Sequence, residues 1–244
     1  MNSEVEIGTG TMRVVADYQL ERWMRSIAQR EPAREIDDTD WRQLAQYAAF
    51  HAVNDWYMLQ PVSRTFATLT QAFEQRWTNK VQKFGSSGHY KQVKEQLLLE
   101  LYLKLTDEDN AVEWPILLFE CTSVWVEELD LGLSMIVQVM AQSGGEHRLT
   151  LYKYMVDASE TAVQLYFHMS VVFCQRAFGQ LPADIEVVDL FHGETHRLRA
   201  SEMDVSKSVD YLRLAAELYL EKKHCTCCAG EDLYGNGSHL AISQ

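Results

Sequence analysis

The sequence predicts an α+β fold with a helical N-terminal half, on three observations. Apolar residues as far as Leu105 recur at helical spacing. From Ile116 to Val156 the texture turns to β-branched, aromatic and alternating residues. A helical stretch, a short strand pair and a last helix then follow.

Val14 to Gln29 carries Val15, Leu20, Trp23, Met24 and Ile27 at helical spacing. Asp40 stands as N-cap for a helix through Leu44, Tyr47, Phe50 and His51 to Met58. Pro61 and Ser63 punctuate the chain, and Ser63 is placed to cap a helix through Phe66, Leu69, Phe73 and Trp77. Gly85-Ser-Ser-Gly88 marks a turn. Tyr90 to Leu105 reads as a fourth helix, with Val93, Leu97, Leu101 and Leu105 on one stripe. Thr106-Asp-Glu-Asp-Asn110 ends it.

Ile116 to Val126 reads as a strand. Leu131 to Met140 alternates, with Leu133, Met135, Val137 and Val139 on one face and Ser134 and Gln138 on the other. Gly144-Gly145 is a hairpin signal, and Arg148 to Val156 alternates again, so the three segments predict an antiparallel meander. Ser159 caps a helix that runs to Phe178, where Gly179 ends it. Ile185 to Phe191 is a short strand, His192-Gly193 a turn, and Thr195 to Leu198 its hairpin partner. Ser201 or Asp204 caps a last helix through Val209, Leu212, Ala215 and Leu218. With no linker in view, the chain reads as one domain with a helical half (1–110), an α/β core (111–222) and an irregular Cys-rich tail (223–244).

Composition bounds the function. The 244 residues suffice to bury a core without covalent staples. The balance is acidic, 35 Asp and Glu against 22 Lys and Arg, for a net charge of −13. That argues against a broad nucleic-acid footprint, which needs clustered Lys and Arg, and tilts the expectation towards a protein partner. The start MNSEVEIGTGTM has neither a basic region nor an apolar run, and no stretch is apolar enough to span a membrane. A cytoplasmic chain is expected. Five cysteines, an odd number, fit reduced thiols better than a disulfide framework.

The order of elements, and three motifs within it, resemble the RecB-like branch of the PD-(D/E)XK nuclease superfamily. Phe50-His51-Ala-Val53 sits in an N-terminal helix, as that branch's histidine does. Pro115-Ile-Leu-Leu-Phe-Glu120 leads to Gly132-Leu-Ser-Met135, where the branch has a Glu and then Gly-x-x-Asp. Gln164-Leu-Tyr-Phe-His168 opens the helix after the meander, where the branch has Gln-x-x-x-Tyr. Phe178-Gly179-x-x-Pro182 and Val187-Val188-Asp189-Leu190, with Gly193-Glu194, also match its habit. The likeness spans Phe50 to Leu218.

The departures bear on activity. The metal-binding Asp implied by the resemblance falls at Met135, and the Asp-x-Lys signature falls on Leu151-Tyr152-Lys153. Phosphodiester hydrolysis in this fold needs a divalent ion, and hard cations need oxygen ligands. Met135 and Leu151 supply none, so the relic set is His51, Glu120, Lys153 and Gln164. Each has a plainer reading: a half-buried helix histidine, a strand-end carboxylate, a solvated strand lysine, and a polar helix stripe shared with His168. The resemblance with these gaps implies a non-catalytic binding or scaffold subunit, for a protein partner, DNA or RNA, in DNA processing or defence. Its alternative is an active nuclease with relocated carboxylates, drawn from Glu127, Asp130, Glu146 or Asp157.

The resemblance also implies a frequent feature of active relatives, an iron–sulfur cluster held by one early and three late cysteines. Here Cys225, Cys227 and Cys228, with His224 or His239, form a late set whose plainer reading is a thiol-rich tail, but no cysteine precedes Cys121. The spacing also departs from CxxC knuckles. A Zn²⁺ site or a remnant cluster there defines a third reading, a metal-binding or redox-responsive regulator. Cys121 and Cys174 lie in apolar segments and read as core.

Overall fold

A computed structural model describes residues 13–28, 39–107, 114–143 and 148–224. Helix α1 (Asp17–Ala28) follows a short strand β1 (Val14–Ala16). Helices α2 (Trp41–Met58), α3 (Phe66–Arg76) and α4 (Ser87–Leu105) come next. Strands β2 (Pro115–Val126), β3 (Leu131–Ser143) and β4 (Arg148–Met155) form the meander. Helix α5 (Glu160–Phe178), strands β5 (Asp184–Asp189) and β6 (Glu194–Arg199), and helix α6 (Val205–His224) complete the described residues.

Most boundaries follow from capping. Asp40 accepts the Gln43 N–H, Ser86 that of His89 and Ser159 that of Ala162. Asp204, not Ser201, caps α6 by accepting the Lys207 N–H. The cap of α3 is Thr65 and not Ser63, because Thr65 and Thr68 satisfy each other's N–H in a capping box. Gly179 ends α5 at φ 69°, and Gly193 turns between β5 and β6 at the same angle. The first helix starts late, since Val14, Val15 and Ala16 pair as a strand with Gly132, Leu133 and Ser134.

The sheet order is β1-β3-β4-β5-β6, with β2 paired to β3. The pairs β2–β3, β3–β4 and β5–β6 are antiparallel; β1–β3 and β4–β5 are parallel. Because β2 occupies one edge of β3 throughout, β1 and β4 share the other. β1 lies against Gly132–Ser134 and β4 against Val139–Ser143, leaving Met135–Gln138 between them.

Helices cover both faces. One core joins α1, α5 and α6 to Leu133, Met135, Val137, Leu151, Met155, Ile185 and Val187. The other joins α2, α3 and α4 to Val139, Ala141, Tyr152, Tyr154, Val156 and Val188. The helical half and the sheet therefore share a core. Val139 corrects the expected alternation: it lies on the face opposite Met135 and Val137. The change of face falls at Gln138, whose side chain pairs with the Tyr154 backbone. Its Oε1 accepts the Tyr154 N–H at 2.8 Å, and its Nε2 donates to the Tyr154 carbonyl at 3.4 Å.

Candidate functional site

Lys153 sits beside the gap between β1 and β4. Its side chain shares the face of Leu151 and Met155 and is 1% exposed. Nζ donates to Asp17 Oδ2 at 2.9 Å and lies 3.8 Å from Glu21 Oε2. Glu21 Oε1 also accepts from Arg25 at 2.8 Å and from Gln46 Nε2 at 3.1 Å. Gln46 Oε1 in turn accepts the Val156 N–H at 3.2 Å. The ammonium lies over the rings of Tyr166 at 5.1 Å and Phe50 at 5.7 Å. Residues of α1, α2, β4 and α5 thus meet at one buried ionic centre, which ties helices from both faces.

The spacing of α1 explains its part. Asp17, Glu21 and Arg25 are four residues apart and share one stripe, and all three are buried. Two carboxylates face two cations, so the formal charge of the centre is zero. Burial alone would lower the Lys153 pKa; the charges of Asp17 and Glu21, with hydrogen bonds to both, outweigh it and raise it. Lys153 is therefore a fixed cation.

This donor set does not fit a hard divalent ion. Mg²⁺ takes six oxygen ligands, several of them waters. Each of the two acids beside Lys153 is already bound to a cation, and the surroundings are apolar. Met135 and Leu151 are both 0% exposed in the core, and the Met135 sulfur accepts from Ser170 Oγ at 3.9 Å. Among the described residues no group of three or more His, Cys, Asp or Glu is arranged to hold a metal.

The other residues of the relic set stand apart from Lys153. Glu120 is exposed on β2 opposite Val137, and Gln164 is exposed on α5. His51 is half-buried on α2 with its ring 4.4 Å from Tyr47. Burial, then the charge of Arg76, lowers its pKa. His168 turns to α6, with Nδ1 3.1 Å from Ser208 Oγ and its ring stacked on Tyr211 at 4.1 Å. Of the acids in and around the meander, Glu127 and Asp130 are exposed, Asp157 pairs with Arg42, and Glu146 lies outside the described residues. The acids at Lys153 are instead Asp17 and Glu21. Cys225, Cys227, Cys228 and the side chain of His224 lie outside the described residues. Cys174 is buried, as expected, whereas Cys121 is exposed on β2.

A second polar cluster closes the far ends of β4 and β5. Buried Asp189 accepts the N–H groups of Asp157, Ala158, Phe191 and His192. His192 Nδ1 lies 2.8 Å from Asp189 Oδ2. That hydrogen bond, aided by the charges of Asp189 and Asp157, raises the His192 pKa. Asp189 acts as a loop anchor with every contact satisfied.

The fold defines a mixed α+β protein, and no helix among the described residues is long and apolar enough to cross a membrane. No family model and no curated protein matches the chain. A solved structure, that of SSO0001, is similar at 9% sequence identity over 84% of each chain, with a TM-score of 0.31. A likeness that loose assigns neither fold family nor function.

Proposed function

We propose that this chain is a catalytically degenerate nuclease-fold protein that works as a binding or scaffold subunit. Its occupant is a protein partner, a nucleic acid or both, in a setting such as DNA processing or defence. The observation that carries this reading is the state of Lys153, the lysine retained from the nuclease signature. It is buried and neutralised by Asp17 and Glu21, and beside it Met135 and Leu151 fill the core with apolar volume. Helices, a meander, a helix, a strand pair and a last helix follow in the order that the resemblance implies.

The discriminating experiment is digestion of labelled single- and double-stranded DNA and RNA with Mg²⁺ or Mn²⁺. The expected result is no cleavage at micromolar protein. Metal-dependent cleavage that disappears in Asp17→Asn or Lys153→Met would sink the proposal and establish relocated carboxylates instead.

A further inference from the structure

From Gln75 to Lys94 the chain carries five basic residues, Arg76, Lys80, Lys83, Lys91 and Lys94, and not one Asp or Glu. The whole chain has a net charge of −13, so this segment is opposite in sign to the chain as a whole. Periodicity and run-length do not reveal it, because the bases never stand side by side.

The structure brings the segments that carry them together. Trp77, Phe84 and Tyr90 pack on one another, with ring centroids 5.0–5.7 Å apart. Tyr90 Oη donates to the Thr78 carbonyl at 2.7 Å, which clamps the start of α4 to the segment after α3. Lys80 precedes and Lys83 lies within the 3-10 turn Val81–Phe84. Lys91 leaves α4 one residue beyond the Tyr90 clamp. Arg76, Lys80 and Lys91 are exposed, Lys83 is half-buried, and Lys94 is held by Glu74 at 2.8 Å.

We infer that this face, formed by the end of α3, the Val81–Phe84 turn and the start of α4, binds the phosphate backbone of a nucleic acid. The inference rests on the binding-subunit reading and names its surface. A patch of exposed Lys and Arg is what a polyanion requires. Trp77, Phe84 and Tyr90 spend ring surface on one another, and Phe84 is buried, which leaves phosphate contacts as the main term over base stacking. Contacts are then to phosphate, and recognition is indifferent to sequence.

The test is fluorescence anisotropy of the full chain with end-labelled single-stranded DNA and RNA of one sequence. Vesicles of phosphatidylcholine and phosphatidylserine serve as the other polyanion. With about three phosphates engaged, affinity should fall roughly 20-fold between 50 and 200 mM salt. Lys80→Glu with Lys91→Glu should weaken binding at least roughly tenfold, by losing and then repelling two contacts. Lys207→Glu, an exposed change on α6, should alter it less than about twofold. Circular dichroism checks that each variant keeps its fold. Absence of binding at 50 mM salt, equal losses in the α6 variant, or binding to vesicles alone overturns the inference. The cleavage assay reports separately on the degenerate-nuclease reading, so one can fail without the other.

Discussion

Lys153→Met leaves Asp17 and Glu21 buried with Arg25 as their remaining cation. Breaking a buried pair from one side typically costs about 3–5 kcal/mol, and a drop of that size is expected in urea denaturation. Adding Asp17→Leu removes the orphaned charge and leaves Glu21 paired with Arg25, so most of the loss should return. Equal losses in the single and double variants would mean that Lys153 contributes by packing alone. His192 carries a second prediction. Its folded pKa is raised above the ordinary 6.5, first by the hydrogen bond to Asp189. Its contribution is therefore fully present below 6.5 and is lost as pH rises through the raised value. Urea midpoints measured from about pH 6 to about pH 8 should fall more steeply in the parent than in His192→Gln.

Gln138 belongs to the scale of the element, because it supplies with a side chain the pairing that β3 no longer supplies with backbone. Gln138→Leu keeps the volume but leaves the Tyr154 N–H and carbonyl buried without that partner. A cost of about 2–3 kcal/mol is expected, with amide exchange at Tyr154 accelerated more than at its neighbours. The same residue marks where sequence reading stops. Helices α2, α4, α5 and α6 and the meander are legible from period and caps, since Asp40, Ser159 and Gly179 act locally. The face change at Gln138 is not legible, because alternation assumes an unbroken ladder. Nor is α1's inward charge stripe: Asp17, Glu21 and Arg25 read as a solvated face until β4 places a lysine opposite them. Met135 and Leu151 are legible as apolar core positions from strand alternation, whereas the acids that bind Lys153 come from α1, which carries none of the quoted motifs.

At the scale of the whole molecule, helices pack on both faces of the sheet and the ionic centre is internally neutral. Among the described residues a divalent ion finds no group of three or more ligands. The melting temperature is thus expected to move by less than about 1 °C when Mg²⁺ replaces EDTA, as read by scanning calorimetry. A concentration-dependent rise would reveal a hard-oxygen site. The charge distribution is uneven at this scale: a basic face from Arg76 to Lys91 sits on a chain of net charge −13. Such an arrangement favours approach from one side and repels it from the others.

The hydrogen bond from Lys153 to Asp17 closes a loop of 136 residues. A chain made from its N-terminus produces α1 long before it produces β4, the strand that completes α1's site. Until then Asp17, Glu21 and Arg25 belong in water, and Leu20 and Trp23 have no floor to pack on. Docking of α1 must come late in assembly, after the meander has closed, and contacts so distant along the chain slow the final step. A ribosome-tethered fragment ending before Arg148 should therefore show α1 open to protease, and one extending past α5 should protect it.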